Sequence, residues 1–139
     1  MKTKRSVYLI IYIGWILMIF AFSMQSGIIS SNSSKPFVEV ILRFFAQFDI
    51  TLTSLWVSTI VRKGAHFTEY AVLGYVTRKN VGLNTQPLFY LSGFVPFLDE
   101  ALQTQIAGRV GSLGDSSIDL AGYLIGILIA RLTDKRSAI

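Results

Sequence analysis

Apolar and polar positions along this 139-residue chain fall into long blocks rather than short alternations. The first block, residues 7–24 (VYLIIYIGWILMIFAFSM), carries no charge and is apolar on every side. As a helix it reaches roughly 27 Å, enough to cross a hydrocarbon core. Lys2, Lys4 and Arg5 precede it, as basic residues precede a secretory signal. The run is long for a signal, however, and no small-x-small cleavage pattern stands before Gln25, so it reads as a retained transmembrane helix. Residues 25–34 (QSGIISSNSS) read as a polar loop. Phe37, Ile41, Phe44, Phe45 and Phe48 then recur at helical spacing, with Glu39 and Arg43 an i,i+4 pair on another face. That pattern predicts an amphipathic helix over residues 36–48, lying in a membrane interface and broken by residues 51–53.

Residues 54–77 are long enough to span a bilayer, yet Arg62, Lys63, His66 and Glu69 fall in their middle. Either a short membrane helix starts near Arg62, or one long helix carries these charges inside the protein. Gly64 favours a break or close packing. Arg78 and Lys79 end the segment, and residues 80–86 form a turn. Pro87 suits the first turn of the third span, and Pro96 predicts a kink near its end. Ser116 is the expected cap of the fourth. Ala121, Gly122, Gly126 and Ala130 are spaced to let a second helix come close.

Composition agrees with lipid as solvent. The chain is 52% hydrophobic and 15% charged, with a mean hydropathy of +0.53, and a single domain over residues 1–139 is too small to hide that much apolar surface from water. The expected fold is therefore all-α and polytopic: four short transmembrane helices plus the interfacial helix. With no cysteine, disulfides, thiolate metal sites and a cysteine nucleophile are excluded. The net charge of +5 lies beside apolar runs, which points to membrane orientation and anionic lipid rather than to nucleic acid. With four spans, one side collects Lys2, Lys4, Arg5, Arg78, Lys79, Arg131, Lys135 and Arg136. The other keeps Lys35, Arg43, Arg62, Lys63 and Arg109. The positive-inside rule then makes both termini cytoplasmic. Every acid except Asp134, and the single histidine, lies at or just below the outer surface.

Those outer polar residues are the candidate chemistry. Lys63, His66 and Glu69 share a helix face. Asp99 or Glu100 can share one with Gln103, Glu100 and Gln103 being i,i+3. Asp115 and Asp119 are i,i+4 at the head of the last helix, where the helix dipole favours anions. Arg109, between Gly108 and Gly111, is placed to bend over them, and Ser23 and Gln25 close the first span within reach. Three readings stand open. The cluster binds an anionic headgroup through Arg109, Lys63 and Arg62; or His66, Glu69 and nearby acids bind a divalent cation or act as acid and base; or the charges lock the helices together as a structural network. The metal version is the weakest, since one histidine without cysteine makes a poor transition-metal site, and no metal ligand is assigned. Charge among membrane helices favours the functional readings.

The motifs resemble those of one family. Arg62-Lys63-Gly64-Ala65-His66-Phe67-Thr68-Glu69-Tyr70-Ala71-Val72-Leu73-Gly74 is similar to the RKxxHfxeYaxLg signature of the VanZ-like family. Asp99-Glu100 with Gln103, then Gly108-Arg109-x-Gly111, Asp115, Asp119 and Gly122, resembles its DExxQ…pGRxgsxxDxxxDxxG stretch, and Phe22-Ser23-Met24-Gln25-Ser26 resembles its FSsQ turn. One departure is Ala107, where the family carries a proline; a less rigid loop around Arg109 is expected from it. The resemblance implies a small multi-span membrane protein of Gram-positive-type bacteria, in a family named after a teicoplanin-resistance protein and with no established reaction.

The expected function is thus recognition, and as a further step modification, of an anionic envelope lipid, cell-wall intermediate or glycopeptide. Lys63, Gln103, Arg109, Asp115 and Asp119 are the ligand-binding candidates; His66, Glu69, Asp99 and Glu100 are the candidates for acid–base work, with His66 foremost because imidazole titrates near neutrality. The cofactor is left open. The expected partners are membrane lipid and a lipid-linked intermediate, with no nucleic acid. The alternatives are a non-catalytic accessory protein and, for an oligomer, a flipping role.

Overall fold

The computed structural model of the chain describes residues 2–80, 86–109 and 111–136. Among them are five helices and no strand: α1 (Lys2–Ser23), α2 (Gly27–Ala46), α3 (Ser54–Asn80), α4 (Gln86–Gln103) and α5 (Leu113–Arg136). The expected all-α class is what is observed. Of the turn expected over residues 80–86, the two end residues are helical and residues 81–85 lie outside the described ones.

Helix α2 starts well before the expected residue 36. The Ser26 side chain accepts from the Ile29 amide (3.4 Å) and caps the helix. Ser33 and Ser34 turn their hydroxyls back onto the carbonyls of Ile29 (3.0 Å) and Ser31 (2.9 Å). A serine-rich stretch satisfied in this way stays helical although it looks like a linker. The helix also ends earlier than expected, at Ala46, and Asp49 takes a left-handed conformation (φ 57°). Glu39 and Arg43 do pair, at 3.7 Å on the exposed face.

Helix α3 settles the choice left open for residues 54–77: it is one continuous helix with the charges in its middle. Gly64 neither breaks it nor packs closely, because a Cβ there would meet nothing within 4 Å. The close approach lies elsewhere, along the seam between α3 and α5. A Cβ on Gly74 would collide with the Tyr123 carbonyl, one on Gly122 with the Phe67 carbonyl, and one on Gly126 with the Ala71 carbonyl. Backbone thus lies directly on backbone, as the small residues of the last block predicted. Tyr70, Leu73, Tyr123 and Ile127 fill the core beside this seam, with Tyr12 and Ile19 of α1 and Val95 of α4 closing it.

Side-chain pairs fix the helix directions. Lys63 meets Asp115 at one end of the α3–α5 pair and Lys79 meets Asp134 at the other, so these two helices run parallel. Tyr12 hydrogen-bonds Ser92 (2.7 Å) and Ser23 bonds Asp99, so α1 runs parallel to α4. Trp15 Nε1 donates to the Glu69 carbonyl (2.8 Å), tying α1 to α3. The ends of α1 and α4, the head of α5 and the first half of α3 therefore converge on one end of the bundle.

Burial is inverted relative to a water-soluble bundle. Asp99, Glu100, Gln103, Ser116, Asp119, Ser23, Thr77 and Ser92 are buried, while Leu55 (73% exposed), Ile10, Leu17, Phe94, Leu98 and Leu128 face outward. Among the described residues one helical segment, Leu113–Asp134, is by itself long and apolar enough to cross a membrane. Leu9–Ser23 and Gly27–Ala46 qualify only as a pair, bent by 106°.

Candidate functional site

The polar residues converge. A small open cavity of about 30 Å³ at the common end of the helices is lined by Arg62, Lys63 and His66 from α3, Glu100 and Gln103 from α4, Arg109 from the following loop, and Asp115 and Asp119 from α5. Seven of the nine residues expected to form the site thus line one cavity. Glu69 lies in a neighbouring space of about 230 Å³ between α2 and α3, which shares Arg62, His66 and Arg109 with the first. Asp99 lines neither cavity. It is fully buried at 0% exposure, with the Ser23 hydroxyl donating to Oδ1 and the Gln103 amide to Oδ2 (3.1 Å).

The local folding explains the convergence; it decides one pairing that the sequence left open and corrects one expectation, the cap of α5. Gln103 pairs with Asp99, four residues back, rather than with Glu100. Glu100 instead accepts from the backbone amide of Ser112 through Oε2 (2.7 Å) and so pins the loop that carries Arg109. The cap of α5 is Ser112, whose hydroxyl accepts from Gly114 N (3.1 Å); Ser116 lies inside the helix and is buried. The signal was present in the chain, because Ser112-Leu113-Gly114-Asp115 has the spacing of a capping box. Gly111 must be glycine: a Cβ would lie 2.7 Å from the Glu100 carbonyl oxygen.

The loop holding Arg109 is firmly placed despite Ala107. The Ala107 carbonyl accepts from Gly27 N (3.2 Å), Gly108 adopts φ +76°, and Arg109 N donates to the Ile106 carbonyl (3.1 Å). The start of α2 therefore clasps the loop with backbone bonds that do not need the family's proline. Arg109 Nη2 donates to the Phe22 carbonyl (3.1 Å), a partner that no side-chain motif could reveal.

Charges in the cavity fall into two groups. Lys63 is satisfied by Asp115, and Glu100 by Ser112. By contrast, neither Arg62 nor Arg109 forms an ion pair with a carboxylate among the described residues. Burial lowers the pKa of the Arg109 guanidinium, and the like charge of Arg62 adds to that effect. Two guanidiniums that line one cavity with Glu100, Asp115 and Asp119, yet form no ion pair with a carboxylate among the described residues, are suited to a planar or tetrahedral oxyanion. His66 Nδ1 and both oxygens of Asp119 are buried without a hydrogen-bond partner among the described residues.

Compared with known proteins, the chain matches the model of the family described as VanZ/LLP1 over residues 8–134. No curated protein and no solved structure matches it.

Proposed function

This chain belongs to the VanZ/LLP1 family, and from that premise we propose that it is a multi-pass membrane protein whose outer cavity binds the anionic group of an envelope lipid, a cell-wall intermediate or a glycopeptide. The observation that carries this reading is the pair of guanidiniums, Arg62 and Arg109, that line the cavity without a carboxylate partner among the described residues. The cavity lies at the end of the bundle that charge counting assigns to the outer surface. The link to teicoplanin-type resistance carried by the family name agrees with a ligand at that same surface. His66 and Glu69 stand beside the bound group in this arrangement, as candidates for proton transfer.

The membrane reading draws support from the inverted burial and from simple lengths. Lys63 to Lys79 along α3 spans about 24 Å, and Asp115 to Asp134 along α5 about 28 Å. The two ion pairs thus bracket a layer close to hydrocarbon thickness, with aliphatic and aromatic side chains on its outside. α1, α3, α4 and α5 are the four spans of this proposal, and α2, turned by 106° from α1, lies along the interface. Both termini are then cytoplasmic. Because the chain holds no cysteine, single-cysteine variants report topology cleanly. In intact cells a membrane-impermeant maleimide is expected to label Thr104→Cys and to leave Thr133→Cys unlabelled until the membrane is opened. The opposite pattern contradicts the orientation.

The functional test is the set of lipids that stay with the chain through purification in mild detergent. Mass spectrometry is expected to find phosphate-bearing lipid on the wild type and about tenfold less on Arg109→Ala, the size expected when a charge-assisted pair worth about 1.5–3 kcal/mol is removed. Equal profiles contradict the proposal.

A second reading has its own observation. Ser23, Asp99 and Gln103 form a buried hydrogen-bonded set across α1 and α4, which is what a helix-locking network looks like. In this division of labour those three hold the bundle, while Arg62, His66 and Arg109 are left to a ligand.

A further inference from the structure

The cluster also holds an arrangement that the pair of guanidiniums does not account for. His66, Asp99 and Asp119 come from three different helices, α3, α4 and α5. Each offers one ligand atom, and the three atoms lie within 4.8 Å of one another. Asp119 is 1% exposed, yet among the described residues neither of its carboxylate oxygens has a hydrogen-bond partner, and His66 Nδ1 is likewise buried and without one. A carboxylate buried in this state is costly, because nothing replaces its lost hydration. His66 Nδ1 stands 3.9 Å from Asp119 Oδ2, too far for a hydrogen bond. It is within the span that two ligands of one ion can cover at a wide angle, each about 2.0–2.6 Å from it.

We infer that His66, Asp99 and Asp119 form a binding site for a divalent transition cation, Mn²⁺ or Zn²⁺. One imidazole with two carboxylates suits these ions better than Mg²⁺ or Ca²⁺, which take oxygen ligands alone. The charges balance, since two buried carboxylates meet one divalent ion. No side-chain cation takes that role at Asp119: Lys63 is committed to Asp115, and Arg109 reaches the Phe22 carbonyl. Asp99 is already oriented as a ligand should be, because Ser23 and Gln103 each donate to one of its oxygens and leave further lone pairs open. The site stands on these contacts and holds whether or not the cavity above it takes an anion. If it does, the ion adds positive charge on the same side as Arg62 and Arg109.

The test uses the full chain in detergent, without a polyhistidine tag, stripped with chelator and titrated with MnCl₂ alone while free Mn²⁺ is followed by electron paramagnetic resonance. Saturable uptake of about one Mn²⁺ per chain is expected, displaced by Zn²⁺. Asp119→Asn is expected to weaken binding about tenfold or more, the scale seen even for outer partners of metal ligands. Asp134→Asn, at the far end of the bundle beside Lys79, is expected to leave binding unchanged. His66 is the only histidine, so its imidazole ¹⁵N signals report contact in the wild type without any substitution; broadening by Mn²⁺ is expected. Absence of saturable uptake of Mn²⁺ and Zn²⁺, full affinity in a folded Asp119→Asn variant, or imidazole signals that stay sharp would each overturn the site. If Asp119→Asn does not fold, the wild-type imidazole signal decides.

Discussion

Replacing Gly126 by leucine is expected to remove nearly all correctly folded protein from the membrane. Gly126 lies where α5 rests on α3, and a Cβ there would fall inside contact distance of the Ala71 carbonyl, with the Tyr75 amide nitrogen 2.9 Å away. Both are backbone atoms and cannot rotate aside, so the helices must separate. Overpacking of a close interface costs roughly 1–3 kcal/mol and occasionally more, and here the rigid neighbour puts the cost at the upper end. Parting α3 from α5 also unseats Lys63 from Asp115 and moves His66 away from Asp119, so the site fails together with the fold. The informative control is Gly64→Leu, in the middle of α3. No atom lies within 4 Å of its added Cβ, and leucine is a better helix former than glycine by up to about 1 kcal/mol. Abundance measured by fluorescence-detected size exclusion is expected to collapse for Gly126→Leu and to hold for Gly64→Leu. Equal abundance would remove the close seam from the account.

Glu100→Ala is expected to disable ligand retention almost as completely as loss of Arg109, although Glu100 is not the recognising charge. Its Oε2 receives the Ser112 amide, a charge-assisted bond worth about 1.5–3 kcal/mol. That bond holds the loop after α4 in place and sets the head of α5. Without it the loop loses its anchor to α4, and Arg109 keeps only the backbone bonds at Ile106 and Ala107 and the contact with Phe22. Hydrogen exchange at the Ser112 amide is expected to accelerate by more than tenfold, the kinetic counterpart of that bond energy. Bound phosphate lipid falls with it. Glu100→Gln keeps an acceptor oxygen at the same place and is expected to retain most of both. If Glu100→Ala leaves exchange and lipid content unchanged, the loop is held by other means.

These two cases also mark what the chain discloses on its own. The seam was legible because small residues at Gly122, Gly126 and Ala130 recur on one face within an apolar run, and few other arrangements explain that spacing. The first block was legible as a helix, since its eighteen uncharged residues contain no proline; as a span it passes the length test only together with α2. The start of α2 was not, because QSGIISSNSS has the composition of a linker, and the hydroxyl-to-carbonyl bonds that keep it helical are local details that composition averages away. Gly64 misled in the same manner, since a helical glycine reads alike whether it faces a neighbour or open space.

Most of the cavity lining was legible in the chain, but its wiring was not. Spacing placed His66, Glu100, Arg109, Asp115 and Asp119 at a common level, and four of the helices bring their ends there. It could not say that Gln103 would choose Asp99 over Glu100, as both are allowed on one helix face. Nor could it reveal that Arg109 would reach a main-chain carbonyl of α1. Backbone partners carry no residue signature, so three of the contacts that aim Arg109, at Phe22, Ile106 and the Ala107–Gly27 clasp, were visible only once the chain was folded.

The most direct measurement is native mass spectrometry of the purified chain offered an equal mixture of phosphatidylglycerol and phosphatidylcholine. The two lipids share their acyl chains and differ in headgroup charge, so preference reports the cavity and not the greasy outer surface. The wild type is predicted to retain phosphatidylglycerol selectively, and Arg109→Ala to carry both lipids equally. A wild type without preference, or a preference that survives Arg109→Ala, would contradict the account.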